Sequence, residues 1–486
     1  MYSLVMLLAF LVVMVSVGVW GMKKTSTLGD FFLGGRTLGP WLSAFAYGTT
    51  YFSAVIFIGF AGNQGWNMGL NAIWIGVGNA LFGALGAWLV LGKRTRRMTQ
   101  RLDVMTMPEF LEARYGSDHL KMIAAVLIFV FLLPYSASVF KGLGHLFEST
   151  FGISYDFALL VLVGITGLYL ILGGYFAVTL TDFIQGFIMI VGAVSMLVIL
   201  VSKAGGLQSA LQAVAQGYEE HVPQGRRPSL LTMGSLIFMT SFGTWGLPQM
   251  VQKFYAIKDE LMIRRAAVIT TVFALIIGVC AYGTGMLGHV FLDLDSVPRL
   301  ASGAVNYDLI VPTLLTTHLP EALMALIMLL VLSASMSTLA SMILVSSSAI
   351  TIDLYKGYLH PEVSDKTSLL MIRILSGVFI LCSWAISRMQ IGFIVTLMSL
   401  SWGVLSGAFM APYILGIFWK GVTKAGAYAG FFAGAGTAVT LFFVLGAPRS
   451  PLASSIAMLV PFIVVPAVSL VTPKVDSSVI DRAFSD

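Results

Sequence analysis

Apolar residues fall into blocks of about 20 along almost the whole chain, separated by short polar turns. The blocks do not alternate as half-buried strands do, and they lack the single apolar stripe of a surface helix. They are apolar on all sides, as a helix among lipid tails or other helices must be. Read at the length that crosses a bilayer, they predict about thirteen transmembrane helices, at 2–22, 41–64, 70–92, 120–146, 155–178, 183–203, 229–251, 266–291, 321–350, 368–387, 391–418, 424–446 and 452–472. A short surface or re-entrant helix is expected around 305–318. The expected fold class is all-α and polytopic.

Composition agrees. The chain is 58% hydrophobic and 10% charged, where a soluble domain carries about 25% charge. No polar block is long enough for a separate soluble domain, so 1–486 reads as one transmembrane domain. The run "MYSLVMLLAFLVVMVSVGVWGMKK" has no basic residue before its apolar stretch and two lysines after it. It reads as a first spanning helix rather than a signal peptide.

Charge then sets orientation. With the N-terminus outside, 21 of the 28 Lys and Arg residues fall in inside loops or at inner helix ends, including "KRTRRMTQR" at 93–101 and "KFYAIKDELMIRR" at 253–265. That bias supports thirteen spans with the C-terminus inside, in the cell membrane. The same bias accounts for the net charge of +6, so nucleic acid is not an expected partner; the bilayer and a small solute are, with the chain a monomer or weak oligomer. Cys280 and Cys382 lie in apolar blocks and read as small buried residues, not a disulfide. "LGKRT" fails as a phosphate loop, because Ala87 and Arg94 stand where Gly and Ser/Thr are needed. With no soluble domain to host a reaction, the chain is not expected to be an enzyme.

Two spans are interrupted by residues that suit a broken helix. The second holds "YGTTYFS", Tyr47 to Ser53, with a poor helix former at Gly48 and hydroxyls able to satisfy freed backbone groups. The seventh holds "TSFGTWGLP", with Gly243, Gly246 and Pro248. The breaks sit five spans apart, so spans 2–6 (41–204) and 7–11 (229–418) form two groups with matching breaks, after a first helix and loop (1–40) and before two extra helices (424–472). Odd repeats invert in a membrane, and carriers place their sites where such repeats meet. The plainer alternative is that these glycines only let helices pack closely.

The ninth span carries "SASMSTLAS" at 333–341. At about 100° per residue, Ala334, Ser337, Thr338 and Ser341 share one face. Neutral hard oxygens suit an alkali cation, and carbonyls freed in the second span can complete its shell. The alternative is that the hydroxyls bond their own helix and hold neighbours together. Gly426, Gly430 and Gly434 read as a packing stripe, with a dimer contact as the alternative.

At this point the chain resembles the sodium:solute symporters, the family of sodium-coupled sugar, proline, pantothenate and sialic acid carriers. The resemblance is carried by "GGYFAVTLTDFIQ" at 173–185, "MSTLASMILVSSSAITIDLY" at 336–355, "FFLGGRTLGP" at 31–40 and "TMPEFLEARYG" at 106–116. It implies a leucine-transporter-like inverted five-plus-five repeat and Na+ as the coupling ion. It also implies an ion site formed by the carbonyls of Thr49, Phe52 and Ala334 and the hydroxyls of Ser337 and Thr338. In some members the equivalent of Asp182 serves a second Na+ site or the ion exit path; in this chain "LTDFIQ" also suits an ordinary helix N-cap. Glu109 and Asp353 read as caps or gate ion pairs.

The solute is less legible. Proline carriers of the family resemble "SDMS" where this chain has "TYFS", with Tyr51 in place of Asp, and have aromatics in span seven where it has Thr240 and Thr244. The run after Thr49 looks more like the pantothenate and monocarboxylate branch. A pocket beside the two breaks is expected from Tyr47, Tyr51, Ser53, Thr240, Trp245, Gln249 and Trp402, though any of the aromatics could equally be apolar packing. No mid-membrane acid or base is evident there, which favours a small carboxylate or zwitterion over a polycation. The reading is Na+-driven symport by alternating access; the alternatives are a proton-coupled carrier or uniporter using Asp182, or sugar as the solute.

Overall fold

The computed structural model describes residues 2–22, 33–172 and 175–484, and among them the regular elements are helices. In order they are α1 (Tyr2–Met22), α2 (Pro40–Tyr51), α3 (Val55–Phe60, continuing as Ala61–Met68), α4 (Ile73–Gly78, extended through Lys93–Arg101), α5 (Met107–Tyr115), α6 (Asp118–Phe151), α7 (Tyr155–Leu172) and α8 (Tyr175–Lys203). Then come α9 (Leu207–His221), α10 (Leu230–Phe242), α11 (Pro248–Ala256), α12 (Leu261–Met286), α13 (Tyr307–His318) and α14 (Glu321–Ser348, continuing as Ala349–Leu359). The chain ends with α15 (Asp365–Arg388), α16 (Ile394–Phe418), α17 (Lys424–Leu445), α18 (Ser450–Val471) and α19 (Ser477–Phe484). Among the described residues, nine helices are long and apolar enough to cross a membrane, ten if the bent pair at Trp245–Pro248 counts as one. The short helix expected near 305–318 is α13.

Local chemistry sets the boundaries. Ser117, Ser229, Ser364 and Thr423 each cap the helix that follows by accepting a backbone N–H. Thr106 and Glu109 form a reciprocal capping box on α5. Glu109 is therefore a cap, and burial raises its carboxyl above the ordinary value. Thr106 also donates to Asp353 at 2.6 Å, tying α5 to the far end of α14.

Both predicted breaks are present. Phe52 is extended (φ −111°, ψ 123°), which ends α2 and turns its carbonyl out of the helical ladder. The N–H groups freed beyond it are satisfied by serines: Ser335 accepts from Ala54 at 3.1 Å, and Ser53 accepts from Val55 at 3.2 Å. In the second break a tight turn at Gly243–Trp245 leads to extended Leu247. Pro248 then opens α11, where its missing N–H costs nothing, and the two pieces meet at 45°.

Two helices sit at the centre. The apolar stretches of α14 and α16 are 89% buried, against 22% for α17, whose outward face, with Phe432, Phe443 and Val444, is left for lipid. Around α14, Phe45 packs on Phe183, Phe187 and Phe273, joining α2, α8 and α12. Gly48 lets this happen, since a Cβ there would lie 2.5 Å from the Phe273 ring. Gly426, Gly430 and Gly434 point inward, at Ser469, Val465 and Gly407 on α18 and α16, so the stripe packs helices of the same chain. Cys280 and Cys382 are free thiols.

Two sequence expectations are corrected. Helix α8 begins at Tyr175, not at 183, so Asp182 is two turns inside a helix and buried, and it is not an N-cap. Lys253, grouped with the loop charges, lies on α11 with a buried side chain. Phe31, Phe32, Gly173 and Gly174 of the quoted signatures lie outside the described residues.

Candidate functional site

The hydroxyl face of α14 meets the break between α2 and α3. Thr338 Oγ1 lies 3.0 Å from the Ala334 carbonyl, 3.2 Å from the Thr49 carbonyl and 3.1 Å from the Thr50 carbonyl. One hydroxyl hydrogen faces three acceptors, and a single O–H can satisfy only one of them well. Ser337 Oγ is 2.6 Å from Asp182 Oδ1 and 2.7 Å from Thr49 Oγ1. If Asp182 is ionised it only accepts, so Ser337 donates to it and keeps lone pairs for another partner. All these groups are buried. The result is a dry cluster of hard oxygens with more acceptors than protons, which is the chemistry an alkali cation completes.

Of the residues expected at an ion site, Thr49, Ala334, Ser337 and Thr338 converge. Phe52 stands at the break beside them. The Thr50 carbonyl was missed, because nothing in the sequence fixes which carbonyls a break turns inward. Ser341, on the same face, pairs with Thr50 Oγ1 at 2.9 Å and accepts from Lys253 at 3.0 Å.

Next to this cluster is a small cavity of about 20 Å³, lined in part by Tyr51, Phe52, Ser53, Asn79, Tyr135, Thr240, Tyr282, Met398 and Trp402. It is bounded by the α2–α3 break, α4, α6, α10, α12 and α16. Its wall is aromatic: Tyr51 stacks on Phe52 with centroids 4.4 Å apart, and Tyr135 meets Trp402 edge-on at 5.8 Å. Its polar groups are neutral. Asn79 Oδ1 accepts from Thr240 at 2.8 Å, which leaves its amide N–H groups as donors. The Trp402 indole N–H is buried beside the Tyr135 hydroxyl and meets no well-formed hydrogen bond among the described residues.

Four of the seven expected pocket residues, Tyr51, Ser53, Thr240 and Trp402, line this cavity. Three do not. Tyr47 turns away to donate to the Gly83 carbonyl at 2.8 Å and packs on Trp88 and Phe254. Trp245 donates to the Phe82 carbonyl at the partly exposed edge of the bundle, against Phe242. Gln249 is buried at the start of α11, away from the cavity wall. Each sits near a break in sequence, but helix rotation there points the side chain elsewhere. Asn79, Tyr135 and Tyr282 were missed because they come from unbroken stretches whose pattern is ordinary packing.

The sodium:solute symporter family model matches residues 31–434, and the chain belongs to that family. It is 30% identical to the osmoregulated proline transporter OpuE of Bacillus subtilis over 91% of this chain and 88% of that protein. It is also 30% identical to the high-affinity proline transporter PutP of the same organism, over 88% of this chain and 89% of the relative. Its fold is similar to that of a Na+-coupled sialic acid symporter, with a TM-score of 0.82 at 18% identity and 98% of both chains covered. The chain is thus a multi-pass membrane transporter, not an enzyme, with Na+ as its coupling ion.

Proposed function

We propose that the protein carries a small carboxylate or zwitterion by alternating access, driven by Na+ held between the Thr49, Phe52 and Ala334 carbonyls and the Ser337 and Thr338 hydroxyls. The proposed frame is thirteen spans, N-terminus outside and C-terminus inside, with inverted repeats at 41–204 and 229–418. The observation that carries the reading is the crowding of three carbonyls on the single Thr338 hydroxyl, beside an aromatic-walled cavity. Both features are built on one broken helix, so ion and solute act on the same backbone segment. Coupling then follows from preferential binding of Na+ to one conformation.

Among solutes, proline stands first. The relatives named above are proline transporters. An aromatic wall suits a pyrrolidine ring, and the Trp402 N–H suits a carboxylate. A pantothenate or monocarboxylate reading is favoured instead by Tyr51, which fills the position where the proline carriers have Asp.

Uptake by proteoliposomes tests both. Labelled proline, pantothenate and a short monocarboxylate are offered under an inward Na+ gradient and under an equal K+ gradient. Accumulation of one of them in Na+ alone is the expected result. Uptake that follows a proton gradient and ignores Na+ would replace this reading with proton coupling through Asp182.

A further inference from the structure

We propose that His221 and His289 form a binding site for a divalent transition-metal ion, Zn2+ or one of its neighbours, at the end of the bundle that the proposed topology places outside. The site shares no residue with the oxygen cluster or the aromatic cavity, and it stands whether or not the sodium cage does.

His221 ends α9, and His289 lies in the turn that follows α12 (Gly288–Phe291). Their Nδ1 atoms face each other at 3.1 Å. Both rings pack on Trp66 of α3. The His221 ring is 7° from parallel to the indole with centroids 5.3 Å apart, and the His289 ring is 22° from parallel at 4.5 Å. Gly217 on α9 permits this approach, since a Cβ there would lie 2.5 Å from the His289 carbonyl oxygen. Trp66 is itself fixed in a small apolar cluster with Val222, Leu292, Val297 and Ile310. Two imidazoles from separate elements are thus held on one rigid platform.

The hydrogen bonds assign the tautomers. His289 Nε2 is 2.8 Å from the Trp66 carbonyl, which can only accept, so Nε2 carries the hydrogen. In the neutral ring, Nδ1 then presents a lone pair to His221. Donation of the second ring nitrogen to a backbone carbonyl is how proteins orient a metal-ligating histidine. In the hydrogen-bonded pair His221 Nδ1 is the donor. His221 is only partly buried, so solvent can move its hydrogen to Nε2, and both Nδ1 lone pairs are then available to one ion. A tetrahedral ion about 2.0–2.1 Å from two nitrogens spaces them by about 3.3 Å, a few tenths of an ångström beyond the observed gap. Neutral imidazoles favour Zn2+, Cu2+ or Ni2+ over Mg2+ or Ca2+. Water fills the remaining positions, which makes the site open and reversible. A bound ion would join α9, the helix linking 41–204 to 229–418, to the end of α12.

The test is calorimetric titration of ZnCl2 into purified, untagged protein at pH 7.5, with MgCl2 as the comparison. Wild type is expected to bind one Zn2+ per chain saturably in the micromolar range and not to respond to Mg2+. His221→Asn puts an amide N–H where the Nδ1–H was, and His289→Gln keeps a donor for the Trp66 carbonyl. Each is expected to lose the saturable phase while unfolding in EDTA near the wild-type temperature. His360→Ala, which removes a histidine 3.6 Å from Glu362 elsewhere on the surface, is expected to bind as wild type does. No saturable Zn2+ binding by wild type, or binding unchanged in His221→Asn, overturns the proposal, as does an equal loss in His360→Ala. Should His289→Gln not fold, the partly exposed His221 position decides alone.

Discussion

The Tyr51 hydroxyl donates to the Thr240 carbonyl at 2.6 Å, joining the last turn of α2 to the last turn of α10. These are the two turns that precede the two breaks. The bond thus fixes one interrupted helix against the other across the cavity that both line.

Tyr51→Phe removes the donor and leaves a buried carbonyl unpaired, at about 1–3 kcal/mol. We expect the KM for solute to rise by about tenfold, while the stabilisation by Na+ persists. Uptake kinetics and thermal unfolding in NaCl check the two halves. An unchanged KM would mean the bond holds nothing that the solute needs.

Thr338 separates ion binding from packing. A ligand that binds only the folded state at ten times its Kd stabilises by about 1.4 kcal/mol. Wild type should unfold at a higher temperature in NaCl than in KCl at equal ionic strength. Thr338→Ser keeps the hydroxyl and should keep this difference; Thr338→Ala should abolish it with little change in KCl. A sodium effect that survives in Thr338→Ala sinks the cage assignment.

Trp402→Phe keeps an aromatic wall but removes a buried N–H that meets no well-formed hydrogen bond among the described residues. Solute affinity should fall by about tenfold, the value of a typical lost hydrogen bond to a charged group. Na+ stabilisation should not move. Equal losses of both would point to a packing role for the indole.

Lys141 and Asp308 form a buried pair at 3.0 Å that ties α6 to α13, and Asp308 also accepts from Ile394 N at the start of α16. Removing one partner leaves an unpaired buried charge. Asp308→Ala should destabilise by about 3–5 kcal/mol, and the double variant Lys141→Met/Asp308→Leu should recover most of it. Denaturation in detergent measures both; a double variant as weak as the single one would show that the pair is not the cause.

Glu260 bonds Arg97 at 2.8 Å and lies 3.2 Å from Lys93, clamping α4 to the start of α12. The bond with Arg97 holds its carboxyl below the ordinary value of 4.5. A depressed folded value gives stability that is present above the unfolded value and lost as pH falls through the folded one. The pair is partly exposed, so its worth is at most about 1 kcal/mol. Glu260→Gln should therefore unfold slightly more easily than wild type at pH 7, and the two should converge in strong acid. A difference that grows as pH falls contradicts the sign.

The helical blocks and both breaks were legible because they rest on local rules. Apolar length marks a span, Gly and Pro mark an interruption, and 100° steps place Ala334, Ser337 and Thr338 together. Contacts between distant spans were not legible. Lys253 looked like one more basic residue by a loop, since its burial depends on which way α11 turns after Pro248. Asp182 looked like a cap because its helix was begun about two turns too late. Trp245 and Tyr47 adjoin the breaks, yet a rotation of a fraction of a turn sends them to the rim and to α4. Asn79 carries no signal of its own; only the approach of Thr240 makes it part of a pocket.

Phe52 contributes its backbone to the interruption beside the oxygen cluster and its ring to the cavity wall. A single residue therefore belongs to both compartments, and the effect of one occupant on the other is necessarily mutual. The practical consequence concerns adaptation. On the proposed function, a substitution that reshapes this ring to admit a new cargo also bears on the backbone proposed to hold the ion, so cargo choice and sodium dependence are expected to change in the same mutation.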